Sequence, residues 1–146
     1  MFNIWVDYPT FAEEVNIVKN TSGNATVQLK SVLTGEEISY FQELIRKIPI
    51  NDNVVEYAVS LVAKTRPNND SAPELTKNFL SWGAGPRASQ YLTIGAKCHA
   101  AINGKYSPDI EDIQAVALPI LRHRIVRNYK AEAEGYSVER IIKELF

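Results

Sequence analysis

Trp82-Gly83-Ala84-Gly85-Pro86-Arg87-Ala88-Ser89 is the stretch whose reading decides the fold. Gly83 and Gly85 free the backbone, and Pro86 carries the fixed φ that suits a first helical position. Downstream, Ala88, Tyr91, Leu92, Gly95, Ala96, His99 and Ile102 recur at three- and four-residue steps. The segment therefore predicts a loop running into a helix from Pro86 to about Asn103, with Gly104 as its C′ glycine. Arg87 falls in the first turn, where the helix already carries partial positive charge, a mismatch of about 0.3–1 kcal/mol. An anion at that end removes the conflict, because first-turn N–H groups and a guanidinium can point at one phosphate. Surface arginines also occupy first turns with no function, since the cost is small and salt screens it. The residues alone leave both readings open.

Outward from this helix the chain reads as further helices. Thr10 with Glu13 has capping-box spacing, and Phe11, Val15 and Val18 share a face until the breaker cluster Thr21–Asn24. Thr34 or Gly35 precedes Glu36-Glu37, and Phe41, Leu44, Ile45 and Ile48 form a stripe that Pro49 ends. Asn51 or Asp52 opens a strongly apolar helix through Val54, Ala58, Leu61 and Val62, a central core element that ends at Arg66-Pro67. Residues 67–73 are turn formers. Ser107-Pro108 opens the next helix with Pro108 at its first position, and Pro119 interrupts or kinks it. Ser137 caps a last short helix with Val138, Ile141, Ile142 and Leu145. Phe2–Asp7 reads as a short strand closed by Tyr8-Pro9. Thr26–Leu33 reads as extended, with minor pairing expected near Val27–Val32 or Ile48–Ile50. The fold class is mostly α: a small helical bundle with a short N-terminal extended strand.

At 146 residues, one domain is the default, and such a chain buries roughly 68–70% of its unfolded surface. The net charge of −1 argues against a general nucleic-acid binder. Cys98 is the sole cysteine, so no disulfide or cysteine-rich zinc site can form within the chain, and a small buried hydrophobe is the expected role. A reducing cytoplasmic compartment fits this usage. No apolar run approaches the roughly 20 residues of a membrane span, and no signal-type segment opens the sequence.

A phosphate loop needs a glycine, four residues, then Gly-Lys-Ser/Thr. Gly104-Lys105 is the one Gly-Lys pair, and Tyr106 follows it. Phe2–Asp7 mimics an apolar strand ending in a magnesium-binding acid, but Tyr8 stands where a catalytic glutamate belongs. This chain alone therefore holds neither ATP nor Mg2+ by such motifs. His99 and His123 lie too far apart for a helix-spaced metal pair, with no acid cluster evident around either, so His99 reads as a satisfied core histidine and no metal site is expected. Arg122, His123, Arg124, Arg127 and Lys130 form the one basic concentration. Glu132 and Glu134 follow at once, which favours a solvated, salt-bridged helix end over a nucleic-acid patch.

Trp82–Ser89 with Gln90-Tyr91-Leu92 resembles the sensor-2 segment of the MoxR-type AAA+ ATPases. Leu121-Arg122-His123-Arg124-Ile125 is similar to a late segment of that family, and Tyr129–Gly135 to the piece after it. Asp7-Tyr8-Pro9 resembles the hinge out of the nucleotide-binding core. The likeness covers nearly the whole chain but omits the core ATPase domain. It implies a helical lid domain at 10–146, preceded at 1–9 by the last core strand and the hinge.

The resemblance implies that Arg87 is a sensor-2 arginine, reaching from the lid to the γ-phosphate of ATP held with Mg2+ by the core domain. Pro86, Ala88 and Tyr91 would border the nucleotide pocket, and Tyr8, Pro9 and Ile17 would wall the adenine. It implies a cytoplasmic, chaperone-like remodelling ATPase that forms a homo-oligomeric ring, with its own core domain and a von Willebrand A-type protein as partners, and with neither nucleic acid nor membrane. The alternative from the residues is a stand-alone helical protein-interaction module without nucleotide function.

Overall fold

The computed structural model describes residues 1–24 and 28–146. The expected extended segment at Thr26–Leu33 therefore lies partly outside the described residues, and 28–34 contain no strand. The helices in chain order are α1 (Phe11–Thr21), α2 (Gly35–Lys47), α3 (Asp52–Lys64), α4 (Glu74–Phe79), α5 (Pro86–Ile102), α6 (Ile110–Leu121), α7 (Tyr129–Ala133) and α8 (Val138–Lys143). Two short strands, β1 (Leu80–Trp82) and β2 (Val126–Arg127), pair antiparallel, with Leu80 opposite Arg127 and Trp82 opposite Val126.

Local chemistry fixes most boundaries. Capping boxes start α1 at Thr10 with Glu13 and α2 at Thr34 with Glu37. Ser137 caps α8 by accepting from the Arg140 N–H. Gly104 ends the α5 turn at φ +71°, a conformation that favours glycine. Pro108 is not the first residue of α6. Asp109 is the N-cap, because its carboxylate accepts from the Asp112 N–H while the Asp112 carboxylate accepts from the Asp109 N–H. Pro119 stays inside α6.

The core is an α5–α6 hairpin with α3 laid across α5 and α8 against α6. The short link between α5 and α6 makes the two antiparallel. Leu61, Leu92, Ile113, Ile120, Leu121, Ile141 and Ile142 are all but inaccessible to solvent. Each such side chain contributes about 1.5–3 kcal/mol through burial, which makes this hairpin the stable scaffold of the site. β1, β2 and α7 close one side, where Phe79 stacks on Tyr136 with centroids 4.1 Å apart.

Two further expectations are corrected. Phe2–Asp7 is not a strand: it is an irregular arm with no β partner among the described residues, tied to α6 where the Asn3 N–H donates to Pro119 O at 2.7 Å. The minor pairing among the described residues joins 80–82 to 126–127; Ile48–Ile50 and residues 28–32 form no strand, and the rest of the Val27–Val32 expectation lies outside the described residues. Residues 67–73 are loop as expected, and residues 74–79, to which the sequence assigned no element, form helix α4. α1 and α2 contribute no buried residue, although α2 rests on α5.

Candidate functional site

The segment leading into α5 is pinned to the end of α3. Thr65 is wholly buried; its hydroxyl donates to Val62 O at 2.6 Å and accepts the Ala84 N–H at 2.9 Å. Arg66 Nε donates to Ala84 O at 2.9 Å. Gly83 is pressed so close that a Cβ there would sit 2.4 Å from Thr65 O. The Thr76 hydroxyl donates to Lys64 O at 2.7 Å and holds α4 to the same end. A fixed loop thus delivers Pro86 to the first turn of α5.

No side chain caps α5 at Gly85, and no acid lies in its first turn. Arg87 is exposed and makes no hydrogen bond or ion pair with any described residue. A cation therefore stands free at the positive end of a 17-residue helix whose approach is rigid. Beside it, Arg66, Trp82 and Pro86 line a groove of about 330 Å³ over the Gly83–Gly85 backbone.

The other expected site residues divide. Ala88 is withdrawn from the pocket border, because its side chain is wholly buried in the core. Tyr91 is half-buried, and the Arg124 guanidinium lies 5.3 Å from its ring centroid. Tyr8, Pro9 and Ile17 come together in a separate depression of about 650 Å³ with Val6, Asp7 and Glu13. None of them lines the groove beside Arg87. Thr65 and Arg66 were missed; Thr-Arg-Pro at the end of an apolar helix was the only signal for them.

Most of the basic segment is paired locally, although Arg122 Nε is buried without a hydrogen-bond partner among the described residues. Arg127 donates to Tyr136 O at 2.6 Å and lies 3.7 Å from Glu132. Arg122 is 3.9 Å from Glu139, and Lys130 is 4.0 Å from Glu134. These pairs bear out the salt-bridged reading. Arg124 donates to Ile120 O and touches the His123 ring. Burial first, then the Arg124 charge, holds His123 below its ordinary pKa.

His99 is not isolated from acids, contrary to the sequence reading: Asp112, wholly buried, lies 2.6 Å from its Nδ1. Lys105 reaches the same carboxylate at 3.1 Å and Asp109 at 2.9 Å. The cluster joins the end of α5 to the start of α6, so His99 is satisfied structurally. No group of three or more His, Cys, Asp or Glu among the described residues is placed to hold a metal ion. Cys98 is half-buried, and burial raises its thiol pKa. No helix among the described residues is long and apolar enough to cross a membrane.

A family model described as AAA lid domain matches residues 73–145. The chain is 30% identical over 145 residues to Chaperone MoxR1 of Mycobacterium tuberculosis, an alignment covering 99% of this chain and 38% of that protein. It is 26% identical over 146 residues to YeaC of Bacillus subtilis, named an uncharacterized protein, with 99% and 43% covered. A crystal structure from Cytophaga hutchinsonii, named a "putative ATPase", superposes with TM-score 0.83 at 31% identity, covering 99% of this chain and 44% of that one. The chain thus spans about two-fifths of the length of these relatives.

Proposed function

This chain belongs to the AAA lid domain family, and we propose that it serves as the lid of a MoxR-type ATPase, with Arg87 as its nucleotide sensor. The observation that carries the reading is the state of Arg87: exposed, unpaired among the described residues, and delivered by a pinned loop to an uncapped helix start. During phosphoryl transfer, negative charge spreads over the γ-phosphoryl oxygens, and a fixed guanidinium stabilises it. Hydrolysis removes that contact, so the angle of the lid follows the nucleotide state. ATP and Mg2+ are held by a core domain in this scheme; the lid contributes Arg87, and Pro86 sets its helix. Chaperone-like work on protein partners belongs to the proposal, supported by the likeness to Chaperone MoxR1; ring assembly, a von Willebrand A-type partner and a cytoplasmic setting belong to it as what the resemblance to MoxR-type ATPases implies.

The test is ATP turnover of the full-length protein carrying Arg87→Ala. A fall on the order of 10²-fold is expected for loss of one charge-stabilising donor. Unchanged turnover removes Arg87 from the mechanism.

The interaction-module reading has its own support in the exposed apolar residues of α1 and α2, among them Phe11, Ile17, Ile38 and Phe41. It predicts a defined protein partner and no response to nucleotide in any length of the protein.

A further inference from the structure

The antiparallel α5–α6 hairpin returns the segment after α6 to the start of α5, and Arg124 lies in that segment. Its guanidinium covers the Tyr91 ring, while its donation to Ile120 O ties it to the last turn of α6. Tyr91 is four residues after Arg87 and shares its face of α5. Helical side chains lean toward the N-terminus, so the Tyr91 ring covers the turn from which Arg87 projects.

An arginine and a tyrosine at this spacing have a local alternative, in which the guanidinium folds back onto the ring as a cation–π pair. The structure shows a different arrangement. Tyr91 packs against the core, Arg124 takes its ring, and Arg87 stands exposed and unpaired among the described residues.

We propose that Arg124 is a positioning residue for Arg87: by occupying the Tyr91 ring it denies Arg87 that resting place and keeps its guanidinium free for the γ-phosphate. This rests on the sensor reading of Arg87. It gives Arg124 a role that its neighbours lack, since Arg122, Arg127 and Lys130 each have a carboxylate within 4.0 Å.

The experiment compares affinities of the full-length protein for ADP and for a non-hydrolysable ATP analogue. Arg124→Met keeps the aliphatic stem and removes the charge. It is expected to lower the preference for the ATP analogue over ADP roughly fivefold, the size of an ordinary cation–π contact. Adding Tyr91→Leu to Arg124→Met removes the ring on which Arg87 would collapse, and restores the preference to within about twofold of wild type. Loss of packing alone cannot produce that recovery. An unchanged preference in Arg124→Met overturns the proposal, and so does a double variant that stays low. Should Arg124→Met fail to fold, Arg124→Gln makes the same comparison. Arg87→Ala is measured in parallel: if it leaves the preference intact, the sensor reading itself falls, whereas loss in Arg87→Ala without loss in Arg124→Met rejects only the positioning role.

Discussion

His99 Nδ1 lies 2.6 Å from Asp112 Oδ1, and that carboxylate is wholly shielded from solvent at the junction of α5 and α6. Its second oxygen accepts from Lys105 at 3.1 Å and from the Asp109 N–H at 2.9 Å. One carboxylate thus serves as helix cap, ion-pair partner and histidine anchor together. Asp112→Ala strands all three donors. Because His99 and Lys105 retain partial access to water, the expected loss is roughly 2–3 kcal/mol. Urea unfolding of the variant beside the parent chain checks it; a difference below about 0.5 kcal/mol would make the cluster ornamental.

The same group gives the chain an acid limit. Burial alone raises the Asp112 pKa, but the Asp109 N–H, His99 and Lys105 outweigh it and hold it at about 2, against an ordinary 3.8. A depressed carboxylate pKa means stability that is complete above the unfolded value and lost as pH falls toward the folded one. Between pH about 4 and about 2 this carboxylate should therefore account for roughly 2 kcal/mol of lost stability. Stability measured across that range should fall less steeply in Asp112→Ala than in the parent chain. Equal slopes would contradict the assignment.

Gly83 and Gly85 flank one alanine and should behave oppositely. A Cβ on Gly83 meets Thr65 O at 2.4 Å and Arg66 Cα at 2.6 Å, both backbone atoms that cannot swing aside. A Cβ on Gly85 meets nothing within 4 Å. Gly83→Ala should cost about 1–3 kcal/mol by forcing the loop off α3, while Gly85→Ala stays within about 0.5 kcal/mol. Thermal melts of the two variants decide whether this loop is a rigid mount for Arg87.

What was legible in the sequence follows from how local each signal is. Thr10 with Glu13 read correctly because a capping box is complete within four residues, and the acids Glu36-Glu37 marked the start of α2 while leaving Thr34 or Gly35 open as its first residue. The α5 stripe read correctly because 17 residues repeat the pattern several times. α4 has six residues and β1 three, too short for periodicity to stand out, and the strand partner of β1 lies more than forty positions away. Arg87 could be singled out from its place in a first turn. The Arg124–Tyr91 contact could not, since it exists only once α5 and α6 have closed their hairpin. In the sequence Asp112 is one acid among Asp109, Glu111 and Asp112 near a helix start, and only tertiary packing makes it a buried hub.

Arg87→Ala should separate function from stability. The side chain is exposed and bonds to no described residue, so its removal should leave unfolding free energy within about 0.5 kcal/mol. The helix start even loses an unfavourable charge, worth about 0.3–1 kcal/mol at low salt. An equal or slightly raised melting temperature, together with collapsed turnover in the full-length protein, is the signature of a residue retained for a ligand. A clear loss of stability would mean that Arg87 is structural.

The arm at residues 2–6 carries the last prediction. Ile4, Trp5 and Val6 are 72%, 70% and 85% exposed, an apolar run with one backbone tie, from Asn3 to Pro119. That hydrogen bond contributes about 0.5–1.5 kcal/mol and Phe2 sits over Gly95 of α5, but neither contact covers Ile4, Trp5 and Val6. Although the arm is irregular, the backbone N–H and C=O groups of residues 4–6 have no backbone partner among the described residues and are open to pairing with another chain. Removing residues 1–6 from this chain should therefore reduce self-association seen by light scattering as concentration rises, at little cost to the α5–α6 core. If association persists unchanged in the shortened chain, the sticky surface is elsewhere, and the exposed apolar faces of α1 and α2 become the segments to truncate next.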